Sequence, residues 1–343
     1  MKKFYNFLML LMLSILLVAC GSSESSSKKE DKKTEESTKK SKKKKKSKKD
    51  KKSNDKDEDQ SDEADATDEE DANNEKETET KKQKSYSKSG KPMTLESYTA
   101  IDNEKCSITI VNIEESNWTG GYDINVSLEN KSADANYTFT LEAAAVNGVQ
   151  VDPIFYSEVL AGKKANEPIR IEDLTEYGIT EYTDIELFFK VTDSDNWRAD
   201  DIVRETVHVY PYGQESATQF TREAEATDQV LVDNEYVTVT YIGKTHDDFY
   251  GYVINTYVVN KTDKELSIRS DAFSIDGYMA DTYYSMDLKP GKSRFEKMYW
   301  YDSVLKDIGV EMSSIKSIEG TIKVKDGAYS SNELSSDTVT ITP

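Results

Sequence analysis

The chain has 343 residues, 32% of them charged and 36% hydrophobic, and a formal net charge of −20. Two histidines and two cysteines exclude a zinc cluster, a disulfide scaffold and most histidine-based catalysis. Residues 21–90 hold 21 lysines against 20 acids and Lys2 and Lys3 lie ahead of them, which leaves 22 basic and 45 acidic residues, a balance of −23, in 91–343. Phosphate backbones repel so acidic a region, and no nucleic-acid binding is expected of it.

The first element in the chain is an address. Lys2 and Lys3 precede an apolar run from Phe4 to Ala19 that closes on Leu17-Val18-Ala19-Cys20-Gly21. A short basic start, roughly 7–15 apolar residues and a small residue before the cut mark a secretory signal. A spanning helix needs about 20 apolar residues, and this run is broken at Asn6 and Ser14. The Leu17 to Cys20 stretch resembles the lipobox of bacterial lipoproteins at every position. The resemblance implies that residues 1–19 are a lipoprotein signal peptide and that Cys20 becomes the first mature residue, its thiol diacylated. Two acyl chains meet the requirement for stable membrane attachment, and the export signal with the resemblance implies a place on the extracellular side of the cell membrane. The competing reading is an ordinary cleaved signal with an incidental cysteine.

Residues 20–90 follow as a lipid anchor and a charged tether. Almost no apolar side chains occur there, so burial cannot offset chain entropy and the segment is predicted disordered. Its charges are segregated: Lys28 to Lys56 carries 16 lysines and 6 acids, and Asp57 to Thr80 carries 13 acids and one lysine. The lysine block beside the anchor suits anionic lipid or anionic wall polymer, a gain on the order of 1 kcal/mol per lysine near an anionic surface. The plainer alternative is a solvated spacer, and on either reading a coil-like tether of this length reaches roughly 45–50 Å.

Residues 91–343 are an internal repeat. Asp102-Asn103-Glu104 recurs as Asp233-Asn234-Glu235, Gly121-Tyr122 as Gly251-Tyr252, and Asn130-Lys131-Ser132 as Asn260-Lys261-Thr262. Gly148, Gly162-Lys163, Gly178 and Lys190-Val191 recur at Gly277, Gly291-Lys292, Gly309 and Lys323-Val324. So constant an offset signals duplication. Each copy alternates apolar and polar residues with period two. Tyr122, Ile124, Val126 and Leu128 form one such row, Tyr137, Phe139, Leu141 and Ala143 another, and Ile185, Leu187, Phe189 and Val191 a third. This predicts half-buried antiparallel strands. About seven strands per copy predict an all-β fold of two tandem immunoglobulin-like β-sandwiches, over 91–211 and 230–343, joined by a connector at 212–229. A short helical turn is expected at Asp173 to Gly178 and again at Tyr301 to Gly309. The pattern is similar to the tandem immunoglobulin-like modules of uncharacterised Gram-positive lipoproteins, a resemblance of structural turns that carries no activity.

Candidate chemistry is sparse. Cys106 aligns with Val237 and reads as core. His208 and His246 lie in different copies, with no pairing that suggests a nucleophile and its base. The loop with Asp193, Asp195, Asp200 and Asp201 places Trp197 and Arg198 where a calcium loop wants an oxygen ligand and glycine. No catalytic residue, metal or cofactor is expected. Trp118 and Trp197 read either as exposed contacts or as lids. The Asn-x-Ser/Thr triplets at Asn117, Asn125, Asn130, Asn136 and Asn260 read as turn and strand residues rather than glycan acceptors.

The copies differ most on one face. Asp123, Asn125, Ser127 and Glu129 of the first copy become Val253, Asn255, Tyr257 and Val259, and Arg170 and Glu172 become Tyr299 and Tyr301. If the runs are strands A, B and E of one sheet, then Tyr236, Val253, Tyr257, Val259, Tyr299 and Tyr301 share an outer face. Aromatic surface with phenolic edges suits a protein or glycan partner. The alternative is packing on the first copy or on Tyr212 to Gln229. The expectation is a non-enzymatic binding or adaptor protein of the bacterial envelope. A structural spacer or assembly subunit is the first alternative, and a carboxylate-based hydrolase the second.

Overall fold

A computed structural model describes residues 90–196 and 198–343. Cys20, the signal sequence, most of the charged tether and Trp197 lie outside the described residues. No helix among the described residues is long and apolar enough to cross a membrane.

The architecture is all-β, built from several sheets. The first repeat supplies β1 (Tyr98–Asp102), β2 (Cys106–Glu115), β3 (Tyr122–Asn130), β4 (Tyr137–Val146), β5 (Val149–Val151), β6 (Tyr156–Val159), β7 (Lys164–Ile171), β8 (Ile185–Asp193) and β9 (Val203–Val209). The second supplies β10 (Gln229–Asp233), β11 (Val237–Asp247), β12 (Gly251–Asn260), β13 (Leu266–Ile275), β14 (Tyr278–Met279), β15 (Ser285–Leu288), β16 (Ser293–Trp300), β17 (Ile318–Asp326) and β18 (Glu333–Ile341). The expected helical turns are a short 3-10 helix at Thr175–Tyr177 and a helix, α1, at Asp302–Ile308. Both end on a left-handed glycine, Gly178 and Gly309.

The two repeats match strand for strand. In the first, β1-β2-β3-β7 form one sheet, while β4 pairs with β5, β6 and β8, and β8 pairs with β9. In the second, β10-β11-β12-β16 and β14-β13-β17-β18 repeat that order, with β15 on β13. Even the irregularities recur. Register shifts fall between Thr99 and Ile101 and between Val230 and Val232, and again between Ile110 and Asn112 and between Tyr241 and Gly243.

Alternation positions the cores. Along β3 buried residues alternate with half-buried ones, from Tyr122 to Asn130. Their apolar side chains meet Phe139, Leu187, Phe189 and Val191 from the other sheet in one hydrophobic cluster. The second cluster centres on Trp300, wholly buried near Tyr252 and Phe273, with its indole N–H donating to Ala280 O at 2.8 Å.

The repeated sequence motifs are turn chemistry. Asn103 Oδ1 accepts the Lys105 and Cys106 N–H groups, and Asn234 Oδ1 those of Tyr236 and Val237. Lys131 reaches back to Asp102 and to Asn103 O, as Lys261 does to Asp233 and Asn234 O. Asn130 and Asn260, each 1% exposed, donate to carbonyls of neighbouring loops: Ala135 O and Val159 O in one case, Lys264 O, Leu288 O and Lys289 O in the other. Side chains so enclosed offer no glycan site.

One connection breaks the symmetry. β16 of the second repeat pairs in parallel with β5 of the first, Ser293 opposite Val149, so that sheets from both repeats run on as one of nine strands. Among the contacts there, the Ser293 N–H donates to Gly148 O at 3.1 Å.

Candidate functional site

The face singled out in the sequence lies on the sheet β10-β11-β12-β16, and the structure divides its residues. Val253 is fully buried, directly opposite Tyr299 on β16. Tyr257 lies opposite Phe295, with ring centroids 4.9 Å apart. Phe295 in turn stacks on Tyr177 of the first repeat at 4.0 Å and meets Phe220 of the connector at 6.0 Å. Tyr257 therefore joins the packing between repeats. Val259, opposite Ser293, sits at the same end, and half-buried Tyr236 caps the β10–β11 turn.

Tyr299 and Tyr301 belong to a different group at the far end of β16. Tyr299 lies 4.7 Å from Tyr250, 5.3 Å from Tyr283 and 5.6 Å from Tyr301, measured between ring centroids. Phe249 extends the row, 4.9 Å from Tyr250. Tyr283 reaches the group because its segment bridges to Tyr299 alongside β16. Tyr283 is 56% exposed and Phe249 40%. Burial, followed by the neighbouring Tyr301, pushes the Tyr299 phenol above its ordinary range. The Lys297 ammonium lies 5.6 Å from the Tyr250 ring centre, and His246 Nε2 is 3.1 Å from Asp302 Oδ2 beside Tyr301. The result is a platform of five rings, stacked and edge-on, with polar groups at its rim. Sequence comparison of the copies found Tyr299 and Tyr301. It missed Phe249, Tyr250 and Tyr283, which come from a turn and an irregular segment, although Phe249 stands where the first repeat has the exposed Trp118.

The junction between repeats is the second polar concentration. Arg294 Nη1 and Nη2 lie 2.9 and 2.6 Å from the two carboxylate oxygens of Asp152, and Arg294 Nε is 2.6 Å from Glu296 Oε2. Burial alone lowers the Arg294 value, but the two carboxylates more than reverse it. Burial pushes the Glu296 carboxyl up, with Arg294 opposing. Desolvation against the junction works to raise Asp152, but its hydrogen bonds with Arg294 outweigh that and leave it below the usual range. Lys292 Nζ meets Glu186 at 2.6 Å, and Lys289 Nζ meets Glu142 at 3.0 Å and Glu265 at 2.5 Å. Gln150 ties backbone to backbone: Nε2 donates to Asp287 O at 2.7 Å and Oε1 accepts the Lys289 N–H at 2.8 Å. These groups are occupied by one another, which makes the junction a fastening.

The remaining candidates take structural places. Cys106 is fully buried and burial pushes its thiol up to about 11. His208 Nδ1 sits 2.8 Å from Asp184 Oδ1, in the first repeat, apart from His246. In the acidic loop Asp193 Oδ1 accepts the Asp195 and Asn196 N–H groups, while Asp201 pairs with Arg204. No group of three or more metal-ligating side chains occurs among the described residues. Trp118 is 68% exposed, with the Arg170 guanidinium 5.7 Å from its ring centre. No protein-family model matches the chain, and comparison with curated proteins finds no match.

Proposed function

We propose that the chain is an exported lipoprotein, held by lipid at Cys20 on the extracellular side of the cell membrane, and that it acts as a non-enzymatic binding or adaptor module of the bacterial envelope. Its tether presents two immunoglobulin-like β-sandwiches, residues 91–211 and 230–343, joined by the connector 212–229. The strand order supports that topology: β2-β3-β7 and β4-β8-β9 correspond to strands A-B-E and C-F-G of an immunoglobulin sandwich. A leading strand and the short β5 and β6 are additions to it.

The observation that carries the binding role is the ring platform of Phe249, Tyr250, Tyr283, Tyr299 and Tyr301. Aromatic area left open at the end of a sheet, gathered around Tyr299 of β16 with hydroxyl and charged groups at its edge, suits a protein or glycan partner. The test is retention of the full chain on isolated cell-wall material, beside a Tyr283→Ala/Tyr301→Ala variant of unchanged circular dichroism. Retention that disappears with the two tyrosines supports the platform as the site, and equal retention removes it.

The spacer reading has one observation in its favour. The nine-stranded sheet and its ion pairs fasten the repeats together, as a rigid rod requires.

A further inference from the structure

The contact between the repeats joins unlike surfaces. The first repeat offers the edge strand β5, and the second offers the edge strand β16 with the turn before it. Because the repeats are equivalent, each surface has a counterpart left open. The counterpart of β5 is β14, the free edge of the second repeat's other sheet. The counterpart of β16 is β7, which ends the first repeat's β1-β2-β3-β7 sheet. A head-to-tail contact whose two surfaces are both repeated is one that can propagate.

The side chains at the open surfaces differ from those in the occupied contact. In the occupied contact, the Lys289 backbone N–H donates to Gln150 Oε1 at 2.8 Å, and the Lys289 side chain turns to Glu142 and Glu265. At the corresponding positions of the open surfaces stand Leu160 on the β7 side and Met279 on the β14 side. Both are apolar and exposed, 56% and 65% respectively. Val149 corresponds to Tyr278, also 56% exposed. The ion pair Lys292–Glu186 has the counterpart Lys163 and Glu319, of matching sign and both exposed. The turns framing the two edges agree as well. Asn147-Gly148 and Asp276-Gly277 form two-residue hairpin loops with positive φ at every position, 51° and 85° in one, 48° and 84° in the other. The Gly277 carbonyl is thus the counterpart of the Gly148 carbonyl that accepts the Ser293 N–H. Two ion pairs of the occupied contact are not retained: Asp152–Arg294 corresponds to Asp281 and Ala165, and Glu142–Lys289 to Asp271 and Leu160.

We propose that β14 and its turn form a docking edge for a second copy of this chain, received through that copy's β7 surface. Leu160 of one copy packs on Met279 and Tyr278 of the next, and Lys163 of the one pairs with Glu319 of the other. The contact is separate from the ring platform and does not depend on it.

The experiment is sedimentation of the purified full chain over a wide concentration series, with Leu160→Asp and Met279→Asp, each altering an exposed side chain. The expected wild-type result is an average mass that climbs past the dimer without a plateau. Each variant is monomeric, its association constant lowered about thirtyfold or more, as when a central apolar anchor is lost. An equimolar mixture of the two variants forms dimers and nothing larger, because one intact surface remains on each. Glu319→Lys weakens association, and joining it to Lys163→Glu restores it. A wild-type chain that stays monomeric, a dimer indifferent to either substitution, or a mixture no different from its components overturns the proposal.

Discussion

Arg294 and Asp152 meet as a bidentate pair across the junction of the repeats, although 142 positions separate them in the chain. Their surroundings are unequal: the arginine side chain is 15% exposed and the aspartate 76%. Arg294→Ala leaves Glu296, itself 18% exposed, as a buried carboxylate without its partner, a loss of about 3–5 kcal/mol. Asp152→Asn removes one charge from an open side of the same cluster and costs well under half of that. Urea unfolding of both variants checks the asymmetry, and equal midpoints contradict it.

Asn130 and Asn260 hold equivalent positions and equivalent carbonyls. Replacing either with alanine orphans two or three enclosed oxygens and lowers stability by about 1–3 kcal/mol. Aspartate in the same place is worse, since it loses the donors and adds a buried charge. Thermal unfolding of Asn260→Ala and Asn260→Asp reads this order directly. An aspartate variant as stable as wild type excludes the donor role.

Duplication, alternation and the two glycine-capped helical turns were legible because each is written in local spacing. The inward parity of Ile171 and Trp300 follows from the same rule, and both are fully buried. The junction was less legible. That β5 accepts β16 depends on the approach of two folded surfaces, which no local period records. One trace was available: Arg294 and Glu296 share the parity of the inward Met298 and Trp300, and charges at inward positions call for partners. Tyr257 and Tyr299 share a strand face in the sequence, but the approach of Tyr177 and Phe220 covers one end of that face and leaves the other open.

Alkaline pH loosens the junction through Lys289. Burial works against its charge, but hydrogen bonds with Glu265 and Glu142 outweigh that and raise its value above the ordinary lysine. A cation held more tightly when folded lends stability that is fully present below the unfolded value of about 10.4 and is lost as pH rises through the folded one. The buried tyrosines with raised phenols lose stability in the same direction, so the comparison must be with Lys289→Gln. The variant's unfolding midpoint falls less steeply than wild type above that pH. Parallel curves remove Lys289 from the effect.

Cys106 occupies the place that Val237 fills in the other repeat, both wholly buried. Cys106→Val is accordingly a change of about 1 kcal/mol or less, as volume-conserving core swaps are. The thiol, with its value pushed up to about 11 by burial, gives almost no thiolate near neutrality and no route for a reagent. Labelling of Cys106 by a thiol-selective disulfide reagent, taken as the difference between wild type and Cys106→Val, therefore waits on unfolding and accelerates with urea in step with loss of structure. A Cys106 that labels in the native chain at the rate of a free thiol places it on an accessible surface and reopens the question of its chemistry.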